Sequence, residues 1–287
     1  MGKFLIVTAD DFGLHERVNE AVDAAHRYGV LTSASLMVAA PAAADAVRRA
    51  RNLPNLRVGL HLVLADGPAA LPAAEIRSLV DAHGRFDDRM FVNGVRYFFS
   101  PRVRRQLEAE IRAQFAAFRA TGLALDHADA HKHFHLHPTL LGLMLRVGAE
   151  FGLRAVRVPD EPSWFGTRAG GIGPAAGGRL LAPWLALMKR RLRRADVLCN
   201  DRIFGLARTG SMDEAALLEV LARLPEGVTE IYGHPAAGEG PVTATMRGYR
   251  HAEEFAALQS PRVRAATARI DTGGYSDLAT RLRGASA

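Results

Sequence analysis

The first stretch in which polar residues almost vanish is KFLIVTA (3–9). An apolar, β-branched run of that length predicts a strand buried on both faces. It stops at an acidic pair and Gly13, and the spacing then changes. Val18, Ala21, Val22 and Ala25 fall on one face of a helix. The same alternation continues down the chain. TSASLMVAA (32–40) reads as a second strand, AAADAVRRARN as a helix closed by Pro54, and RVGLHLVLA (57–65) as a third strand. A long polar and aromatic segment (66–101) precedes a helix over 101–121, with Pro101 at its start and Gly122 beyond its end. LALDHADAH (123–131) is the next strand, a helix runs from Pro138 towards Gly152, and RAVRVPD (154–160) is a strand broken by its proline. Residues 161–200 read as an irregular insertion, glycine-rich at 170–178 and amphipathic after that. MDEAALLEVLARLPEG (212–227) is a helix and VTEIYGHPA (228–236) a late strand. About six strand–helix units in alternation predict an α/β fold with a largely parallel sheet.

Composition narrows this picture. The 287 residues are 48% hydrophobic, enough to bury a core without disulfides or structural metal. The length suits one large barrel or two ordinary domains. One catalytic barrel over 1–287, with the insertion at about 161–200, is the simpler expectation. A lone cysteine, Cys199, excludes an intramolecular disulfide framework. No apolar run reaches the ~20 residues of a membrane span, and the opening residues lack a signal-peptide core. The expected location is the cytoplasm, with peripheral contact to the inner membrane. Net charge is +7, and residues 154–208, with eleven Lys/Arg against four Asp/Glu, account for all of it. A basic surface suits an acidic partner such as an anionic membrane, although an arginine-rich composition would give the same excess. No nucleic-acid recognition signature accompanies the charge, so no such partner is expected.

The chemistry gathers at predicted strand ends. Asp10 and Asp11 follow the first strand, His61 lies in the third, His131 and His133 end the strand after the long helix, and His234 ends the last. Polar groups at the carboxyl ends of several parallel strands point to a (β/α) barrel with its site at that face. An open sheet would more often concentrate its site at one switch point. HADAHKHFHLHP (127–138) holds five of the eleven histidines. Same-face residues on a strand lie ~6.6 Å apart, whereas a metal–nitrogen bond is ~2.0–2.1 Å. One ion can therefore take one or two of these imidazoles; the others support it, touch substrate or face solvent. Asp10 and Asp11 point to opposite faces of a regular strand, so one can ligate an ion while the other reaches its water; one of them could instead cap the following helix. An Asp with two His leaves an ion open positions, as catalysis requires. A neighbouring carboxylate can serve as base, and His234 can protonate a leaving group. This describes metal-assisted hydrolysis of an amide or ester.

TADDFG, GLHLVL, HADAHKHFHLHP and EIYGHPA together resemble, in order and spacing, the YdjC-like carbohydrate deacetylases. The resemblance covers most of the chain. It implies a distorted TIM-like (β/α) barrel and one divalent ion held by Asp11, His61 and His131, with Asp10 as base and His234 as acid. Arg157 and Glu230 also fall at family-like positions. They and His133 are the candidate substrate contacts, with a plain salt bridge as the alternative for Arg157. FVNGVRYFFSPRVRRQLEAEIRAQF and AHKHFHLHPTLL resemble the branch associated with hopanoid biosynthesis. That implies deacetylation of an N-acetylglucosaminyl bacteriohopanepolyol, although Asp129 stands where that branch leads one to expect Asn. The His₂Asp donor set suits Zn²⁺ or Mg²⁺, with Mn²⁺, Co²⁺ and Ni²⁺ also compatible. The expected partner is an N-acetylated glycolipid or oligosaccharide. In LLAPWLALMKRRLRR, Leu181, Trp184, Leu185, Met188 and Leu192 share a face opposite basic residues, the pattern of an interfacial helix; core packing or a homodimer contact would use the same face. The alternatives are a chitooligosaccharide deacetylase, a phosphoesterase with a multinuclear site, and a non-catalytic lipid-binding barrel.

Overall fold

A computed structural model describes residues 2–165 and 175–284, and the side chains of all of these except 175–180. The elements in the first half are β1 (Lys3–Phe12), α1 (Glu16–Tyr28), β2 (Ser33–Leu36), α2 (Ala43–Arg51), β3 (Arg57–Leu62), β4 (Gly67–Pro68), β5 (Arg85–Phe86), α3 (Met90–Phe99), α4 (Pro101–Ala120) and β6 (Ala128–Ala130). A 3₁₀ segment over His131–Leu136 leads to α5 (Pro138–Glu150), α6 (Ala175–Arg194), β7 (Arg202–Phe204), α7 (Glu214–Ala222) and β8 (Gly227–Gly233). The chain closes with α8 (His251–Gln259), α9 (Pro261–Thr267), β9 (Asp271–Thr272) and α10 (Tyr275–Gly284).

The main sheet is parallel, in the order β6-β3-β2-β1-β8-β7. β9 pairs with β1 at Phe4 and Leu5, before β2 joins at Thr8. The sheet curls, and its two edges are joined by the segment expected as a strand at 154–160. Val156 bridges Ala128, Ala155 bridges Leu198, and Ile203 N–H donates to Asp160 O at 3.2 Å. This seam is no regular ladder because a side chain takes the place of backbone. Asn200 accepts from Val158 N–H at 2.7 Å and donates to Val158 O at 2.8 Å. The result is the distorted TIM-like barrel, with β1 at its centre and buried from Phe4 to Phe12. The predicted face of α1, Val18, Ala21, Val22 and Ala25, is buried against it.

Three expectations are corrected. The strand over 123–131 shrinks to Ala128–Ala130. The segment 66–101 contains the small antiparallel β4–β5 pair and the helix α3. The insertion at 161–200 is largely the single helix α6 where it is described; residues 166–174, including much of the glycine-rich stretch, lie outside the described residues. Within α6, Leu185, Met188 and Leu192 are buried in the core, and Trp184 Nε1 donates to Leu136 O at 2.8 Å. Those residues pack on the barrel, whereas Leu181 of the same predicted face is exposed. Among the described residues no helix is long and apolar enough to cross one.

Candidate active site

The site is built where β1, β3, β6 and β8 end. On β1 a regular strand would send Asp10 and Asp11 to opposite faces. Instead the register with β2 slips: Ala9 pairs with Ala34 and Phe12 with Leu36, so three steps on β1 match two on β2. Asp11 sits in the left-handed region at φ 62°. This is a bulge, and a bulge re-aims side chains. It directs both carboxylates into one buried cluster, where each shares a potential ligand group with His61.

The histidine run is a bent segment, not a continuous strand. β6 stops at Ala130, and Lys132 and His133 both take positive φ, 55° and 53°. Left-handed non-glycine residues are uncommon and gather at functional sites. The turn sends each imidazole to a different partner. His131 Nδ1 lies 3.1 Å from Asp11 Oδ1. His133 Nε2 meets the Tyr232 hydroxyl at 2.9 Å. His135 Nε2 donates to Arg157 O at 2.9 Å. His137 packs edge-on against Phe98 and Phe134. His127 lies in the barrel interior between Ser35 Oγ and Asp126 Oδ2, each 3.0 Å away. Burial, with the charge of Arg157, holds His133 well below the ordinary imidazole range, and burial pushes His135 down to about 4. Both rings are neutral near pH 7.

Ligand atoms of Asp11, His61 and His131 converge within 4.8 Å of one another, and all three residues are buried. His61 Nε2 is 3.5 Å from Asp11 Oδ1. Neither oxygen of Asp11 receives a well-directed hydrogen bond. A buried carboxylate without well-directed hydrogen bonds is costly, and with the two imidazole nitrogens beside it forms the donor set of a divalent cation. Burial opposes its ionisation, yet the charge of His131 and the contacts with both imidazoles hold Asp11 well below the usual carboxylate range. The residues therefore fit a metal ion. Asp129 stands behind His61. The two are cross-strand partners between β3 and β6, with Asp129 Oδ1 2.9 Å from His61 Nδ1. That contact fixes the ring and leaves Nε2 for the ion.

Arg157 and Glu230, expected as substrate contacts, are fully buried beneath this layer and do not line the cavity above it. Arg157 is fully buried and grips Asp10 through two bonds, at 2.7 and 2.8 Å. The same guanidinium contacts Asp129 Oδ2 at 2.5 Å and Glu230 Oε1 at 2.8 Å. Glu230 also accepts from Thr8 Oγ1 at 2.7 Å and from Tyr275 OH at 2.8 Å. The salt-bridge alternative for Arg157 is the one observed, and Glu230 is its counter-ion. A second convergence of Asp10, His61 and Asp129 is occupied by this arginine.

Above the cluster opens a cavity of about 140 Å³ lined by Asp10, His61, His131, His133, Tyr232 and His234. Its wall also carries the Asp66–Lys132 ion pair at 2.7 Å. His234 is held through its backbone, with N–H donating to Glu254 Oε2 at 2.5 Å and the carbonyl accepting from His251 Nδ1 at 2.5 Å. Its own Nδ1 has no protein partner. Tyr232, Tyr249, Asp66 and Glu254 escaped the sequence reading. Tyr232 was within reach, since Glu230, Tyr232 and His234 alternate along EIYGHPA and share a strand face.

A curled parallel sheet that gathers two carboxylates and four imidazoles at its carboxyl end defines a (β/α) barrel with a metal-competent active site. The chain belongs to the YdjC-like protein family, which it matches over residues 4–269. It is 42% identical over 165 residues to a carbohydrate deacetylase of Brevibacillus brevis, an alignment covering 57% of this chain and 61% of that protein. It is 28% identical over 285 residues to a chitooligosaccharide deacetylase of Serratia marcescens, covering 97% and 100%. The crystal structure of an Enterococcus faecalis protein, provisionally described as a cellobiose-phosphate cleavage protein, superposes with a TM-score of 0.74 at 26% identity, covering 97% and 99% of the two chains.

Proposed function

We propose that this protein is a metal-dependent deacetylase that hydrolyses the N-acetyl group of an N-acetylglucosamine-type sugar, with one divalent ion held by Asp11, His61 and His131. The observation that carries this is the convergence of those three buried side chains, with nitrogens of His131 and His61 3.1 and 3.5 Å from Asp11 Oδ1. The carbohydrate deacetylases among its relatives support the reaction class. When bound, the ion supplies Lewis-acid polarisation of the acetamide carbonyl and acidifies water in the site. The His₂Asp set suits Zn²⁺ best, with Mg²⁺, Mn²⁺, Co²⁺ and Ni²⁺ also accommodated.

The protein's own groups divide the proton work. Asp10 takes the proton of the attacking water. Arg157 orients this carboxylate through two hydrogen bonds, while each oxygen retains a lone pair for the proton. His234, on the cavity wall, hands a proton to the departing amine. His133, held by Tyr232 and lining the cavity, is the imidazole we assign to the sugar.

Two substrates satisfy this chemistry. The likeness to the hopanoid branch favours an N-acetylglucosaminyl bacteriohopanepolyol; the Serratia relative favours a chitooligosaccharide. Acetate release from each, with and without chelator, separates them. Release that survives chelation, or none from either substrate by metal-loaded protein, overturns the proposal. Phosphate release from sugar phosphates in place of acetate would establish the phosphoesterase alternative.

A further inference from the structure

Eight large apolar side chains are exposed among the described residues, and five of them, Phe91, Val92, Val95, Phe98 and Phe99, lie on α3. Phe91 is 85% and Phe99 73% accessible. Residues 91, 95, 98 and 99 follow helical spacing and form one stripe. The opposite side, Asn93, Gly94 and Tyr97, is buried. A helix seated through one side that leaves an apolar stripe bare on the other lacks a partner there.

The surrounding charge says what that partner is. Residues 89–107 contain five arginines and no carboxylate. Arg89 is paired with Asp87, and Arg96 donates to Ser78 O at 2.5 Å. Arg102, Arg104 and Arg105, on the first turns of α4, are exposed and have no side-chain partner among the described residues. Two copies meeting two-fold through this face would set these arginines, which outnumber the nearby exposed Asp88, against each other. An anionic bilayer answers both features, taking the aromatic rings at the acyl boundary and the guanidinium groups among its phosphates.

The stripe also lies beside the site. Tyr97, on the underside of α3, donates to Leu64 O at 3.2 Å and packs 5.5 Å from the Phe134 ring. Leu64 lies two residues before Asp66, and Phe134 directly follows His133; both Asp66 and His133 line the cavity. A surface that seated α3 would lie next to the cavity wall.

We infer that α3 and the first turns of α4 form a docking surface for an anionic lipid bilayer, with Phe91 and Phe99 as its inserting side chains. This does not rest on the deacetylase reading, because binding is measured without turnover.

The test is sedimentation with vesicles of phosphatidylglycerol and phosphatidylcholine in about equal parts, against phosphatidylcholine alone. The wild-type protein is expected to pellet with the anionic vesicles and to be released as salt rises from about 0.1 to 0.5 M. Phe91→Ser with Phe99→Ser should weaken this at least about tenfold. Arg102→Glu with Arg105→Glu should abolish the preference for anionic vesicles. Unchanged circular dichroism in both variants guards against misfolding, and the arginine variant keeps the test open should the aromatic one misfold. Absence of wild-type pelleting, or variants that bind as wild type, overturns the inference. So does a wild-type dimer that the aromatic variant makes monomeric, since a second copy would then cover the face. Acetate release from soluble chitobiose, followed in the same variants, tells failure of this surface apart from failure of the catalytic proposal.

Discussion

The guanidinium of Arg157 holds both carboxylate oxygens of Asp10, at 2.7 and 2.8 Å, from a fully buried position. The same group faces Asp129 and Glu230, so one cation organises three buried acids. Removing it leaves those acids without a counter-charge. Arg157→Met is expected to cost about 3–5 kcal/mol of folding stability, read as a lower urea midpoint. Arg157→Lys keeps a charge but not the fork, so it should recover part of that stability while acetate release stays low. Full activity in the lysine variant would show that the bidentate grip on Asp10 is dispensable.

Asp10 is the proposed base and lies outside the Asp11–His61–His131 set. Asp10→Asn should leave metal content unchanged by elemental analysis and lower kcat about 10²–10⁴-fold. Turnover near the wild-type rate would remove Asp10 from the mechanism.

Asp129 acts on the metal site through His61, whose Nδ1 it contacts at 2.9 Å. Asp129→Asn can still accept a hydrogen bond but loses the charge that orients and polarises the ring. Metal affinity, titrated against a competing chelator, should fall about 10–100-fold. An unchanged affinity would mean that the His61 ring is fixed by packing alone.

Metal removal should also be visible without substrate. Asp11 is buried with no well-directed donor to either oxygen, so a cation there binds the folded chain in preference to the unfolded one. Zn²⁺ at a hundred times its dissociation constant should add about 2.7 kcal/mol of stability. The check is a thermal midpoint that rises with added Zn²⁺, falls with chelator, and becomes insensitive to both in His131→Ala.

Gly59 tests the barrel interior. A Cβ added there would lie 2.4 Å from the His127 ring, which is itself fixed between Ser35 and Asp126. Neither side can yield easily, so Gly59→Ala should cost about 1–3 kcal/mol or more. Equilibrium denaturation measures it, and a loss below about 0.5 kcal/mol, the usual limit for surface changes, would mean that His127 moves freely.

Much of this molecule is written locally. The alternation of buried runs with helical spacing specified β1, α1, β3, α4 and β8 to within a few residues. These elements bury apolar side chains at a fixed period, and periodicity needs no distant partner. The titratable residues at strand ends were equally visible, because a parallel barrel places successive carboxyl ends on one rim. The short and irregular pieces were less legible. β7 has three residues, and the 154–160 seam is held by the side chain of Asn200. The apolar stripe of α6 reads the same whether it faces lipid or core, and only the packing of Leu185, Met188 and Leu192 decides between them.

The sequence by itself determined which side chains were available and on which strands, because hydrophobic period and strand ends are local properties. It could not say how two adjacent aspartates reach one cluster, or why alternate histidines find different partners. Those depend on an extra residue in β1 relative to β2 and on two left-handed residues after β6. Tertiary structure alone decided them, since a bulge or an αL turn at non-glycine residues is locally unfavourable and persists only where the surrounding packing holds it.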